Sequence, residues 1–282
     1  LVDEFKPDII HCHGGRANLM GAMVRRSRHI PIITTVHSDY RLDYLGSPLK
    51  QHTLGTANAI ALRFLDFYQP VADRMARTLI ERGFDPERIV KIYNGMEFNR
   101  PEGEFDRAAY LRETYGAEIE EGDVLCGIAA RLTAVKDIAT TVRGFAEALK
   151  TAPQLRLFIA GDGEDADMLK KLCDQLGVRE RVTFCGWVSP VMPFFRAMDI
   201  NLLSSVSETF PYSILEGVCA GCATICSDVG GMPELIDTGE NGYIFPVGDD
   251  KKLAEYMARL ANDAALRHTF AEALYAKASP GF

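Results

Sequence analysis

Short apolar runs alternate with segments of helical period along almost all of this 282-residue chain, a rhythm that few folds accommodate. The first half reads as strands at 9–12, 32–36, 67–71 and 89–93, separated by helices over 17–28, 56–65 and 73–82. The Asn94-Gly95 turn and the acidic stretch Arg100-Pro101-Glu102-Gly103-Glu104 interrupt it. The rhythm then restarts with strands at 124–129, 155–160, 182–184, 200–203, 223–226 and 243–245. Helices over 138–149, 168–176, 191–197, 214–220, 232–236 and 250–261 fall between and after them. Such alternation marks parallel sheets covered by helices on both faces. The expected class is therefore α/β, with two doubly wound Rossmann-like domains and a cleft between them. Their expected limits are 1–99 and 124–282, with 100–123 as a linker and entry to the second. Ligands of such sheets bind beyond the carboxyl ends of the strands, so the loops after each strand are where chemistry is sought.

Composition narrows the function classes. Apolar residues at 47% and charged residues at 25% suit a packed core and exclude collagen-like, coiled-coil and disordered chains. The net charge is −8, and up to Gly95 there are 13 basic against 10 acidic residues. A mildly basic first half on an acidic whole is no nucleic-acid footprint, and no nucleic-acid partner is expected. No apolar run approaches the roughly 18 residues of a membrane span, and no leader opens the chain, so the expected location is cytoplasmic. Seven cysteines, an odd number, point to reduced thiols. Leu1, Val2 and Phe5 read as the end of a helix, and the period from Leu253 to Leu274 runs up to Pro280-Gly281-Phe282; the expectation is a piece of a longer protein.

Two loops concentrate chemistry. Ser207-Glu208-Thr209-Phe210-Pro211-Tyr212-Ser213-Ile214-Leu215-Glu216-Gly217 follows an apolar strand and opens a helix expected to begin near Ile214. Unpaired amides at a helix start attract anions, whereas Glu208 and Glu216 would accept bonds from sugar hydroxyls. The plain alternative is a capping box, Ser213-x-x-Glu216, with Glu208 merely solvated. The second loop, Ala130-Arg131-Leu132-Thr133-Ala134-Val135-Lys136-Asp137, carries a planar cationic fork and a point charge, a match for a diphosphate unless both are simply solvated.

With these stand Pro7-Asp8-Ile9-Ile10-His11-Cys12-His13-Gly14, Thr35-Val36-His37, Tyr93-Asn94-Gly95-Met96, Ile159-Ala160-Gly161-Asp162-Gly163, Phe184-Cys185-Gly186-Trp187 and Ser227-Asp228-Val229-Gly230-Gly231-Met232-Pro233-Glu234. In order and spacing the set resembles the retaining nucleotide-sugar glycosyltransferases of glycosyltransferase family 4, which have the GT-B fold. The resemblance implies an acceptor-side first domain, incomplete here, and a nucleotide-sugar-binding second domain. It implies that Arg131 and Lys136 hold the donor diphosphate, with amides of Ser213, Ile214 and Leu215 completing the cradle. Glu216 would take the ribose, Glu208 the donor sugar, and the backbone at Trp187 and Val188 the base. His37 would lean over the donor sugar, while Gly161 and Gly163 would let backbone approach the nucleotide. The candidate catalytic residues are thus His37, Glu208, Arg131 and Lys136. A nucleotide-sugar donor, a carbohydrate or lipid-linked acceptor, no metal and no cofactor are implied, in bacterial polysaccharide or cell-envelope synthesis. The family's Gly-rich loop would precede Leu1, so its contacts are not carried by these residues and the piece is expected to be impaired.

Other signals weigh less. Cys219-x2-Cys222-x3-Cys226 and His11-x-His13 lack the further ligands a metal needs. Gly161-Asp162-Gly163 has Ala166 where a dinucleotide fingerprint has its third glycine. Arg25, Arg26 and Arg28 complement a helix dipole or, alternatively, meet anionic lipid headgroups. A noncatalytic nucleotide-sugar binding module and a two-carboxylate glycosidase using Glu208 and Glu216 are the competing functions.

Overall fold

The computed structural model describes residues 2–42 and 47–281. Leu1 and Phe282, cited above for the chain ends, lie outside them. Two compact units result: Leu1–Asn94 with Ser207–Phe210, and Gly95–Val206 with Pro211–Phe282. Both sheets are parallel, the architecture is α/β, and each unit is built by strand-to-helix alternation.

The first unit runs α1 (Val2–Phe5), β1 (Ile10–His13), α2 (Gly15–Arg28), β2 (Ile32–Val36), α3 (Pro48–Lys50), α4 (Thr56–Leu62), β3 (Phe67–Pro70) and α5 (Asp73–Glu81). Its sheet has the order β1-β2-β3, with Cys12, Ile32, Leu62, Leu65, Tyr68 and Leu79 buried together against it. The expected strand at 89–93 is absent. Ile89 forms only an isolated bridge to Tyr68, and the Val90 and Ile92 amides donate to the carbonyls of Tyr68 and Pro70 at 2.9 and 3.1 Å. In a parallel ladder the bond returning to the Val90 carbonyl would come from residue 70, and proline has no N–H to give.

The second unit runs α6 (Arg107–Tyr115), β4 (Val124–Ala129), α7 (Ile138–Ala148), β5 (Leu155–Ala160), α8 (Ala166–Gln175), β6 (Val182–Gly186), α9 (Met192–Ala197), β7 (Ile200–Leu203), α10 (Tyr212–Cys219), β8 (Ala223–Ser227), α11 (Met232–Leu235), β9 (Tyr243–Phe245), α12 (Asp250–Asn262) and α13 (Ala264–Ala278). The helical period from Leu253 to Leu274 is two helices. Asp263 breaks it, because its carboxylate caps α13 through the Leu266 amide at 2.8 Å. Within 100–123, Asp106 caps α6, and the buried Leu111 joins the core of the second unit. Arg107 of the same helix pairs with Asp199 at 3.0 Å.

The six-stranded order is β6-β5-β4-β7-β8-β9. It reverses direction between the neighbours β4 and β7, the topological switch point where such sheets open a crevice. The core on one face joins Ile128, Phe145, Ile159, Ile200, Ile225, Leu253 and Met257. On the other lie Leu125, Phe158, Phe194 and Phe195 with Leu111. Phe145 is fully buried. Replacing Phe145 with Ala should therefore cost about 3 to 5 kcal/mol of unfolding free energy through lost burial and a residual cavity. Urea denaturation followed by circular dichroism measures this, and a loss below about 1 kcal/mol would contradict the packing described.

Candidate functional site

The loop after β4 is clamped on both flanks. On one, the Ala130 amide extends the ladder to the Ala160 carbonyl at 3.0 Å, the Leu132 amide reaches the Asp162 carbonyl at 2.9 Å, and the Leu132 carbonyl accepts from the Asp165 amide at 3.0 Å. Leu132 itself is buried in the core. With both its neighbours tied down, Arg131 is left to project outward, and it is exposed. On the other flank, the Val206 amide donates to the Val135 carbonyl at 2.8 Å, and the Ser204 hydroxyl to the Lys136 carbonyl at 3.0 Å. Lys136 is half-buried in this turn. One loop thus carries both cations, tied to β5 on one side and to the end of β7 on the other.

The glycines of the β5 loop make this clamp sterically feasible. A side-chain carbon on Gly161, whose φ is +139°, would lie 1.8 Å from the Ala130 carbonyl oxygen; on Gly163 it would lie 2.3 Å from that of Leu132. Their observed task is close approach of two protein loops. Past the register shift between β5 and β6, the Gly161 amide donates to the Gly186 carbonyl at 2.7 Å. Trp187 then stands exposed and Val188 half-buried. Arg131, Gly161, Trp187 and Val188, with Ala130 and Ala160, line one cavity of about 240 Å³ at the carboxyl ends of β4, β5 and β6. A groove of about 750 Å³ between α7 and α12 includes the paired Arg143 and Asp250, 2.7 Å apart, and lies away from these strand ends.

Helix α10 starts at Tyr212, two residues before the expected point, with Pro211 in the capping position. The amides of Tyr212 and Ser213 therefore head the helix. That of Ile214 already donates to the Pro211 carbonyl at 3.2 Å, and Leu215 lies a full turn inside. Ser213 is helical, so the capping box does not form. Glu216 is half-buried in the second turn, and burial alone raises its carboxyl above the ordinary value. Among the described residues no cation pairs with Glu216, which leaves an acceptor suited to neutral hydroxyl donors. Glu208 packs with the first unit, half-buried and engaged with neighbours.

In the first unit, the parallel register that sets His13 beside Thr35 gathers three imidazoles at the ends of β1 and β2. His13 Nδ1 lies 3.0 Å from His37 Nε2, and His11 Nε2 lies 2.7 Å from the Thr35 hydroxyl. The His11 and His13 rings are 4.4 Å apart. Partial burial, then His13 and His11, hold His37 below the ordinary imidazole range; burial and His13 do the same to His11. The motif His11-x-His13 shows only two members of this cluster, although alternation on β1 and the spacing Thr35-x-His37 also point to the third. Among the described residues no His, Cys, Asp or Glu group is arranged to hold a metal. Burial raises the thiols of Cys222 and Cys226, and Cys219 Sγ donates to the Asn99 carbonyl. Arg25 pairs with Asp66 and Arg28 with Asp3, both at 2.8 Å. Arg26 borders an apolar groove of about 340 Å³ containing Leu19, Met23, Ile60 and Phe64. No helix among the described residues is long and apolar enough to cross a membrane.

Residues 116–277 match the family described as glycosyl transferases group 1, and residues 1–100 match glycosyltransferase family 4. An uncharacterized glycosyltransferase of Methanocaldococcus jannaschii is 28% identical over 281 residues, covering 94% of this chain and 68% of its own length. The alpha-monoglucosyldiacylglycerol synthase of Streptococcus pneumoniae is 26% identical over 293 residues, covering 100% of this chain and 66% of its own length. This chain thus spans about two thirds of such relatives. Among solved structures, Anabaena HepE in complex with UDP and glucose aligns with a TM-score of 0.85 at 23% identity, covering 99% of this chain and 75% of its own. Sucrose-phosphate synthase of Thermosynechococcus elongatus aligns at 0.86 and 19% identity, covering 100% and 71%. Both likenesses establish the fold.

The histidine cluster makes stability depend on pH. The unfolded chain takes up protons near the ordinary value of 6.5, which folded His11 and His37 resist. Their contribution is therefore fully present above about pH 6.5 and is lost as pH falls through the lowered folded values. His13→Gln removes the neighbouring charge and should flatten that loss. Thermal midpoints of both proteins between about pH 7.5 and 5 measure it, and parallel curves would count against the coupling.

Proposed function

The chain belongs to the glycosyl transferases group 1, glycosyltransferase family 4, and from that premise we propose that it moves a hexose from a nucleotide-diphosphate sugar to an acceptor hydroxyl with retained anomeric configuration. The single observation that carries this reading is the cavity at the ends of β4, β5 and β6, where Arg131, Gly161, Trp187 and Val188 meet.

A nucleotide in that cavity sets its base against Trp187 and Val188 and brings its diphosphate to Arg131 and Lys136. The guanidinium fork binds two phosphate oxygens together, and the ammonium adds a point charge. Negative charge accumulates on the departing diphosphate as the sugar leaves. Two cations on a clamped loop stabilise it without reorganising, and the leading amides of α10 act in the same sense. Glu216, paired with no cation among the described residues, accepts from the ribose hydroxyls. Family resemblance alone assigns Glu208 and His37 to the donor sugar. Positioning and electrostatics supply the acceleration, with no classical base invoked.

Relatives support the choice of substrates. HepE was solved with UDP and with UDP-glucose, and one relative is named as a synthase of an alpha-monoglucosyldiacylglycerol. They support a UDP-hexose as donor, and the proposal joins to it a carbohydrate or lipid-linked acceptor in bacterial cell-envelope synthesis. The groove beside Arg26, with Met23 and Phe64 exposed, supports contact with a membrane surface. Membership of a transferase family leaves the glycosidase reading of Glu208 and Glu216 without support.

Arg131→Ala removes a charge-assisted contact of about 1.5 to 3 kcal/mol and should weaken UDP binding about 10- to 150-fold. Calorimetric titration measures it; unchanged affinity would overturn the assignment. UDP binding without turnover of UDP-hexoses, in a protein extended to its relatives' full length, would favour a noncatalytic binding module.

A further inference from the structure

Strand β7 is apolar except at one position. Ile200 and Leu202 enter the core on one face, and Leu203 is also buried. Asn201 is fully buried between them and lies in register with Gly127 of β4 and Thr224 of β8. A buried amide is costly unless its hydrogen bonds are met, and here one is. Asn201 Nδ2 donates to the Ser213 carbonyl at 2.9 Å, while Asn201 Oδ1 and the neighbouring Thr224 hydroxyl have no partner among the described residues. Stability alone would favour an aliphatic side chain at this position.

The geometry of α10 is fitted to that one bond. Ser213 and Gly217 stand one helical turn apart and share the face turned to the sheet. A side-chain carbon on Gly217 would lie 2.1 Å from Asn201 Nδ2 and 2.6 Å from its Cγ. The glycine, a poor residue inside a helix, is what the reach of Asn201 demands. The carbonyl it holds belongs to the first turn. That carbonyl shares a rigid peptide plane with the Ile214 amide and directly follows the amides of Tyr212 and Ser213. Holding it sets the depth and tilt of the helix start and, one turn on, the position of Glu216.

We propose that Asn201 is a positioning residue for the donor. By bonding the Ser213 carbonyl from beneath, with Gly217 as its steric companion, it holds the leading amides of α10 and Glu216 where diphosphate and ribose bind. The inference rests on the donor-binding role given to α10 above, and the tests below separate the two.

In Asn201→Leu the volume is kept and the bond lost. Amide hydrogen exchange across residues 212–216 should accelerate about 3- to 10-fold, and UDP affinity should fall by a similar factor. The thermal midpoint should hold or rise, because an orphaned oxygen leaves the core. A merely structural asparagine would instead lower the midpoint and speed exchange throughout the sheet, which would overturn the proposal. Unchanged exchange at 212–216 would overturn it as well. Should UDP fail to bind the unsubstituted chain, the transferase reading falls, and the exchange rates still decide the role of Asn201. A second pair guards against a Leu variant that does not fold. Gly217→Ala should lower the midpoint, and most of that loss should vanish in Asn201→Ala, where the crowding amide is gone. Additive losses would refute the pairing.

Discussion

Backbone contact between the loops after β4 and β5 underlies the rest of the candidate site. Leu132 makes two main-chain bonds, to Asp162 and from Asp165, and its side chain is sunk in the core. Neither bond forms unless positions 161 and 163 lack a side chain, since a Cβ at either would enter the carbonyl oxygens of Ala130 and Leu132. Once the clamp closes, an exposed Arg131 and the walls of the neighbouring cavity follow without further specification. A flexible cationic loop would lose entropy on meeting a diphosphate; a clamped one has lost it on folding.

The same economy appears where the sheet changes direction. Strands β4 and β7 are neighbours in space, so the cationic loop and α10 flank one switch point. The hydroxyl of Ser204 and the amide of Val206, both just past β7, tie the loop from its other side. Asn201, on β7 itself, governs the helix that follows. In the first unit a different sheet produces a different chemistry, as parallel register gathers three imidazoles, of which burial and then their neighbours hold His11 and His37 below the ordinary range.

Much of this was legible in the chain. Period and turn chemistry located both parallel sheets, because burial on a strand or helix face is written in residues a few positions apart. Arg131, Gly161, Trp187 and Val188, which the family resemblance implies, line one cavity. The strand at 89–93 fails for a reason that its own residues do not contain, since the missing donor is Pro70. Helix α10 starts two residues before its apolar period does, because that period marks where a helix buries a face and not where its backbone turns helical. Glu216 lost its capping role for the same reason.

By itself the sequence determined the alternation of elements, the cationic loop after the first strand of the second unit, and the carboxylate on the helix that follows β7. Only the tertiary structure decided which carbonyls the glycines must clear, that three histidines meet, and that a lone core amide reaches beneath α10. The reason is range. Periodicity records forces between residues within a turn or two, whereas these contacts join positions separated by a strand and its loop and exist only after the sheets set their register.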